Sequence, residues 1–168
     1  MQNKNYSYNI TITALMSSLA LIFSYIEAVI PFNPGIPGVK LGIANIVAVI
    51  ALYKLSAKHA IFINVIRILI AGFLFSGIFG AIYSLAGATV SLIGMVLLKK
   101  TDKFSIAGVS MAGGVLHNIG QLLVAAFLIN DMRIFIYFPV LLFSGLAAGI
   151  AVGVGATLII RALPNNIN

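Results

Sequence analysis

Residues 106–129 read IAGVSMAGGVLHNIGQLLVAAFLI, a run without one Asp, Glu, Lys or Arg. A helix of that length rises about 36 Å, and the hydrocarbon core of a bilayer is about 30 Å thick. The run is continuous rather than alternating, which selects a helix over a membrane β-strand. A segment of this kind belongs in a bilayer. Five other apolar runs extend the pattern in both directions, giving expected spans at 10–30, 42–55, 59–75, 79–98, 106–129 and 134–163. The second is short for a crossing. The segment before it, 31–41, is expected to dip into the membrane to complete its depth.

Composition agrees. Of 168 residues, 61% are hydrophobic and 8% charged, against about 45–50% and 25% in a soluble domain. The mean hydropathy is +1.14. Thirteen charged side chains cannot cover a water-facing surface, so a soluble enzyme, a nucleic-acid-binding domain and a disordered chain are excluded. The chain reads as one integral membrane domain over residues 1–168. Lys4 precedes a long apolar run without a small-residue cleavage site, so a first span is expected rather than a cleaved signal peptide. The absence of cysteine removes disulfides, thiol catalysis and thiolate metal sites.

The net charge of +7 is an orientation signal. The basic residues stand at the ends of apolar runs rather than on one face, which argues against a nucleic-acid partner. With the amino terminus inside, Lys4, Lys54, Lys58, Lys99, Lys100, Lys103 and Arg161 fall on the cytoplasmic side, and Lys40 and Arg133 outside. The positive-inside rule then predicts an all-α bundle of six transmembrane helices with both termini cytoplasmic. The expected location is the inner membrane of a prokaryote, as a multi-pass protein.

Against so apolar a background the polar residues stand out, because each costs free energy in hydrocarbon and usually faces the bundle interior. Glu27 is the sole carboxylate inside a run; it either snorkels to the outer interface or pairs within the bundle. Arg67 sits near mid-depth of the third run, where a guanidinium can pair with Glu27 or hold an anionic group bidentately. The loop 31–42 carries three prolines and three glycines, which exclude a helix through its centre. Residues 31–41 are expected to act as a lid that sets Lys40 over the outer mouth, with Asn45 close behind. In the fifth run His117 and Gln121 stand four apart and share a face, with Asn118 beside them and Gly113 and Gly114 one turn away. These residues form an expected small polar pocket. The candidate substrate-binding set is therefore Glu27, Lys40, Asn45, Arg67, His117, Asn118 and Gln121. Asn64, Tyr83, Thr89 and Ser91 carry weaker signals, since each can bond back to its own helix.

Small residues at four-residue spacing let helices approach closely. Gly145, Gly149 and Gly153 form such a face and are expected to pack inside the bundle; a partner face is the less favoured reading. Ala14 and Ser18 repeat the spacing in the first run.

No phosphate-binding loop of the ATPase type occurs, so the chain supplies no ATP hydrolysis of its own. Asp102 and Asp131 lie in loops, and no carboxylate cluster exists to hold magnesium and a diphosphate. No catalytic residue, metal or cofactor is expected, and the chain is not expected to be an enzyme.

The segments Ser24-Tyr25-Ile26-Glu27, Pro37-Gly38-Val39-Lys40-Leu41-Gly42-Ile43-Ala44-Asn45-Ile46, Tyr83-Ser84-Leu85-Ala86-Gly87 and His117-Asn118-Ile119-Gly120-Gln121 resemble the Gx transporter family. Its members often carry the label heptaprenyl diphosphate synthase component I. The resemblance runs from about Ile10 to Ile160. The family is in turn similar to the S components of energy-coupling-factor transporters, which are small, hydrophobic, six-span proteins with both ends cytoplasmic. The resemblance implies a substrate-binding subunit taking up a small or amphiphilic, anionic molecule. It implies a transmembrane coupling subunit and ATPases as partners in trans. In those proteins a small-xxx-small face on span one docks the coupling subunit, and Ala14 and Ser18 stand near that position, with serine where alanine is usual. Some relatives are linked with extracellular electron transfer, which points to a ligand related to quinones, isoprenoids or flavins. It also supports an alternative role as a non-catalytic membrane subunit assisting isoprenoid or quinone metabolism or electron transfer.

Overall fold

The computed structural model describes residues 2–30 and 41–163, with side chains of the first helix described from residue 7 onward. The described residues form helices α1 (Gln2–Val29), α2 (Ala44–Lys54), α3 (Ala57–Ala71), α4 (Gly77–Lys100), α5 (Ile106–Ile129) and α6 (Phe138–Ala162). A π-helical turn, Gly72–Ser76, joins α3 to α4, and a 3₁₀ turn, Met132–Tyr137, precedes α6. No strand occurs among the described residues.

Local chemistry sets several boundaries. Ser56 and Ser105 cap α3 and α5, their side chains accepting from His59 N–H and Gly108 N–H. Asn130 ends α5 in the left-handed conformation, a role asparagine fills when glycine does not. Asp131 accepts from Arg133 N–H to start the 3₁₀ turn. Pro139 lies in the first turn of α6, where its missing N–H costs nothing.

Four helical stretches are long and apolar enough to cross a membrane: Ser7–Val29, Ala57–Lys100, Ile106–Ile129 and Met132–Ala162. Helix α2 is a shorter, fifth body. The expectation of six separate spans is thus corrected. The third and fourth fall in one run of 44 residues, and α2, with 11 residues, rises only about 16 Å. The run does not extend straight. Gly77 has φ +69° and ψ 173°, a region open essentially to glycine alone. Past it α4 returns beside α3, and a Cβ built on Gly72 would lie 2.7 Å from that of Ala81.

Helix α2 is apolar all round, as a fully surrounded helix must be. Val47, Ala48, Val49, Ala51 and Leu52 are 2% exposed or less. It forms the centre of a core to which every helix contributes, including Ala20, Ile63, Leu92, Val109 and Ala156. Beside it α5 packs closely on α6. Cβ atoms on Gly149 and Gly153 would meet the backbone of Met111 and Ala107 at 2.7 and 2.6 Å. The glycine face of α6 is therefore an internal packing surface.

The outward faces are apolar. Phe73 is 91% exposed and Phe127 83%, and apolar exposure on this scale marks contact with lipid rather than water. At one end of the bundle lie the carboxyl-terminal ends of α2, α4 and α6. There Lys54 Nζ donates to Leu163 O at 3.3 Å and Lys99 Nζ to Leu52 O at 2.6 Å. These bonds satisfy terminal helix carbonyls and set positive charge at the negative ends of the helix dipoles. Lys99 also stands 4.8 Å from the centre of the Tyr53 ring. Lys100 and Arg161 lie in the last turns of α4 and α6. This basic end is opposite the end at which α2 begins.

Candidate functional site

Because α2 is short, its amino terminus stops inside the bundle, and a cavity of about 390 Å³ opens there. Helix α1 delivers Ser24 and Glu27 to it, one turn apart on the same face. Helix α3 delivers Arg67, the start of α2 delivers Gly42 and Asn45, and α5 delivers His117, Asn118 and Gln121. Phe75 and Ser76 of the π-helical turn and Ser84 of α4 complete one side. Tyr25 and Phe75 meet edge to face across its rim, 5.7 Å between ring centres.

Six of the seven residues singled out from the sequence (Glu27, Asn45, Arg67, His117, Asn118 and Gln121) thus line one cavity. Lys40 and the expected lid lie outside the described residues, except Leu41, which lines the cavity.

The carboxylate of Glu27 does not pair with Arg67, and no ion pair joins the two. Its Oε1 accepts from the backbone N–H groups of Gly42 and Ile43, the latter at 3.1 Å, and its Oε2 from Ala44 N–H at 3.5 Å. These are the orphan donors at the start of α2. Ile43, at the helix boundary, offers no side-chain cap. A carboxylate from another helix does that work and neutralises the positive end of the dipole.

Arg67 is 9% exposed. One terminal nitrogen, Nη1, donates to Ser24 Oγ at 3.1 Å, and Nη2 donates to Asn64 Oδ1 at 2.9 Å. Both partners are neutral. Its Nε is fully buried and has no hydrogen-bond partner. A guanidinium has five donors in a planar fork; here two are engaged by neutral oxygens, and the group borders a cavity.

Asn118 lines the cavity and braces two helices. Its Nδ2 donates to Leu141 O at 2.7 Å and to Ser144 Oγ at 3.4 Å, tying α5 to α6. His117 packs against α4 at Gly87, where a Cβ would come within 2.8 Å of the imidazole Cε1 and 2.9 Å of the His117 carbonyl oxygen. Glycine at 87 lets the ring reach this place. Gln121 and Asn45 bring side-chain amides to the same space.

Sequence reasoning passed over Ser24, Ser76, Ser84 and Phe75, and ranked Asn64 low. Ser24 stands three residues before Glu27, a spacing that placed it on the same face of α1. Nothing in the sequence marks the π-helical turn that carries Phe75 and Ser76.

Ala14 and Ser18 lie far from this cavity, on an exposed face of α1 with Leu15 and Leu19. The Ser18 hydroxyl bonds back to Ala14 O at 3.0 Å, so the face presents no free hydroxyl to a neighbour.

The family model for heptaprenyl diphosphate synthase component I matches residues 16–159. The chain belongs to that family. The match takes in every cavity residue from Ser24 to Ala148, so the site lies wholly inside the family's domain. No curated protein and no solved structure matches the chain.

Proposed function

We propose that this member of the heptaprenyl diphosphate synthase component I family is a substrate-binding membrane subunit of an energy-coupling-factor-like transporter, and that it captures a small or amphiphilic molecule bearing an anionic group. One observation carries the reading. Arg67 is buried, makes no salt bridge among the described residues, has an unpartnered Nε and borders a cavity large enough for a small molecule. The charge of Glu27 acts on it only at a distance, and an anionic ligand at the fork supplies a direct partner for a buried cation. His117, Asn118 and Gln121 supply hydrogen bonds for the rest of the ligand. The fork of Arg67 favours a planar or tetrahedral oxyanion.

The 44-residue run turns back on itself at Gly72–Gly77, and the amino terminus is taken to be cytoplasmic. The basic end then faces the cytoplasm, as the positive-inside rule requires, and the cavity faces outward. Energy comes from partner ATPases through a coupling subunit that docks on the Ala14–Ser18 face of α1. The protein acts without catalysis: Glu27 is engaged in capping α2, and Asp102 and Asp131 sit in separate turns outside the cavity. The family's description favours a second reading, a non-catalytic subunit assisting isoprenoid metabolism.

The test is thermal stabilisation in detergent across a panel of small oxyanions and anionic amphiphiles, using wild type, Arg67→Ala and His117→Ala. A stabilising ligand is expected to lose its effect in Arg67→Ala and to weaken in His117→Ala. A ligand that stabilises all three proteins equally would place binding elsewhere. Co-purification with a coupling subunit and ATPases separates the first reading from the second, which calls for a prenyltransferase instead.

A further inference from the structure

The lining of the polar cavity includes one carboxylate and one guanidinium, Glu27 and Arg67. Their hydrogen bonds keep them apart. Arg67 donates to Ser24 and Asn64, whereas Glu27 accepts from the start of α2. Ser24 stands between the two charges. It accepts from Arg67 Nη1 at 3.1 Å and lies one turn before Glu27 on α1, a step of about 5–6 Å between Cβ atoms. The cavity therefore presents a positive and a negative group about one helical turn apart, each facing the space rather than the other.

The bonding capacity of Glu27 is not used up. A carboxylate accepts at about four lone-pair sites. Gly42 and Ile43 both bond Oε1, and Oε2 has only the 3.5 Å contact from Ala44 N–H. The amino terminus of α2 carries roughly half a positive charge, so part of the negative charge of Glu27 is left over. The side chain is half-buried and borders the cavity.

A plain anion beside Arg67 thus stands in the field of a second anion. Like charges repel most where the dielectric is low, so a ligand with negative charge alone loses at Glu27 part of what it gains at Arg67. A ligand that also carries a cationic donor satisfies both groups. The cavity, about 390 Å³, is well above the ~150 Å³ that holds one benzene ring. A short two-charge segment leaves room for a further polar group toward Asn118 and Gln121 on α5.

Resting on the proposed function, we infer that the ligand is a zwitterion, an oxyanion and an ammonium-type donor on a short chain, with the oxyanion beside Arg67 and the donor on Glu27 Oε2. Glu27 is then a specificity-determining residue as well as the cap of α2. Arg67 selects for the oxyanion, and Glu27 selects against anions that lack the cation.

The experiment titrates matched probes against the full chain in detergent at constant ionic strength, reading thermal shift. One set is γ-aminobutyrate, butyrate and butylamine; the other is phosphoethanolamine and ethyl phosphate, so the two sets separate a carboxylate head from a phosphate head. In wild type, one zwitterion is expected to bind about tenfold tighter than its matched anion, the gain from a single charge-assisted hydrogen bond, and butylamine is expected to be inert. Arg67→Gln is expected to abolish binding of zwitterion and anion alike. Glu27→Gln, read against its own ligand-free Tm, is expected to lower the zwitterion to the affinity of the anion and to leave the anion as tight or tighter. Glu27→Asp, which withdraws the charge by one methylene, is the second variant should Glu27→Gln not fold, and is expected to weaken the preference. Equal affinity for zwitterion and anion in wild type would overturn the inference; if both still require Arg67, the oxyanion site survives. No shift from any probe would overturn both readings. A preference that persists undiminished in the Glu27 variants would place the cation elsewhere and overturn the role of Glu27. A preference absent from wild type that appears in Lys40→Gln would give Glu27 to Lys40, with the same result.

Discussion

Replacing Glu27 separates its role as a cap from any role as a ligand group. In Glu27→Ala the N–H groups of Gly42, Ile43 and Ala44 lose their acceptor together. A lost cap costs about 0.5–2 kcal/mol, and loss of an anion from a helix amino terminus adds about 0.3–1 kcal/mol. The contact to Ala44, at 3.5 Å, is weak, and cavity water can reach part of the gap, so the sum is about 1–3 kcal/mol. For a chain of this length each kcal/mol shifts Tm by about 2–4 °C, which gives a drop of roughly 2–12 °C. Glu27→Gln keeps one carbonyl oxygen and loses the charge, so it is expected to fall about midway between wild type and Glu27→Ala. The assay is thermal unfolding of purified protein in one detergent, without added ligand. An unchanged Tm for Glu27→Ala, together with abolished anion binding, would refute the capping argument and return Glu27 to the ligand.

Arg67→Met is expected to change ligand-free stability by less than about 2 kcal/mol, because removing a buried charge that makes no salt bridge offsets two lost hydrogen bonds; calorimetry showing collapse would make Arg67 structural instead. Gly149→Val drives a branched side chain into the backbone of Ser110 and Met111, so a loss of at least about 1–3 kcal/mol is expected as a lower Tm or a non-monodisperse elution profile. Gly77→Ala meets no atom within 4 Å, so its expected cost of about 1–3 kcal/mol is purely conformational and should appear in Tm without altering the cavity. Since the chain has no cysteine, single Arg133→Cys and Lys103→Cys variants report topology directly. A membrane-impermeant maleimide should label the first in intact cells and the second only after lysis, and the reverse pattern would overturn the orientation.

The membrane class, the helical fold and the bounds of α5 were legible because a bilayer leaves a one-dimensional trace: long uncharged runs. The gathering of polar residues around one cavity was legible for the related reason that a polar side chain in such a run must be satisfied. What could not be read was partnership. Glu27 and Arg67 looked like a pair because opposite charges in hydrocarbon attract. The amides that took Glu27 belong to the backbone of α2, and backbone donors leave no mark in a sequence. The fusion of two expected spans into one helical run was hidden for a similar reason. A π-helical turn through Gly72–Ser76 keeps the helix formally continuous, and the bend rests on a single glycine at 77.

The lack of a salt bridge to Arg67 follows from a short count. The chain holds three carboxylate side chains. Asp102 and Asp131 lie in the turns after α4 and α5, where one carries a positive φ and the other starts a 3₁₀ turn. Glu27 alone reaches the interior, and the start of α2 claims it. Helix α2 takes that anion because it begins beside α1, where Glu27 meets its unpaired amino-terminal N–H groups. The start of α2 therefore engages the one carboxylate inside the described bundle, and Arg67 is left without a salt bridge beside the cavity that borders the same helix end. The cap on α2 and the unbridged guanidinium thus follow from one feature, the early start of α2, and the proposed anionic ligand rests on that arrangement.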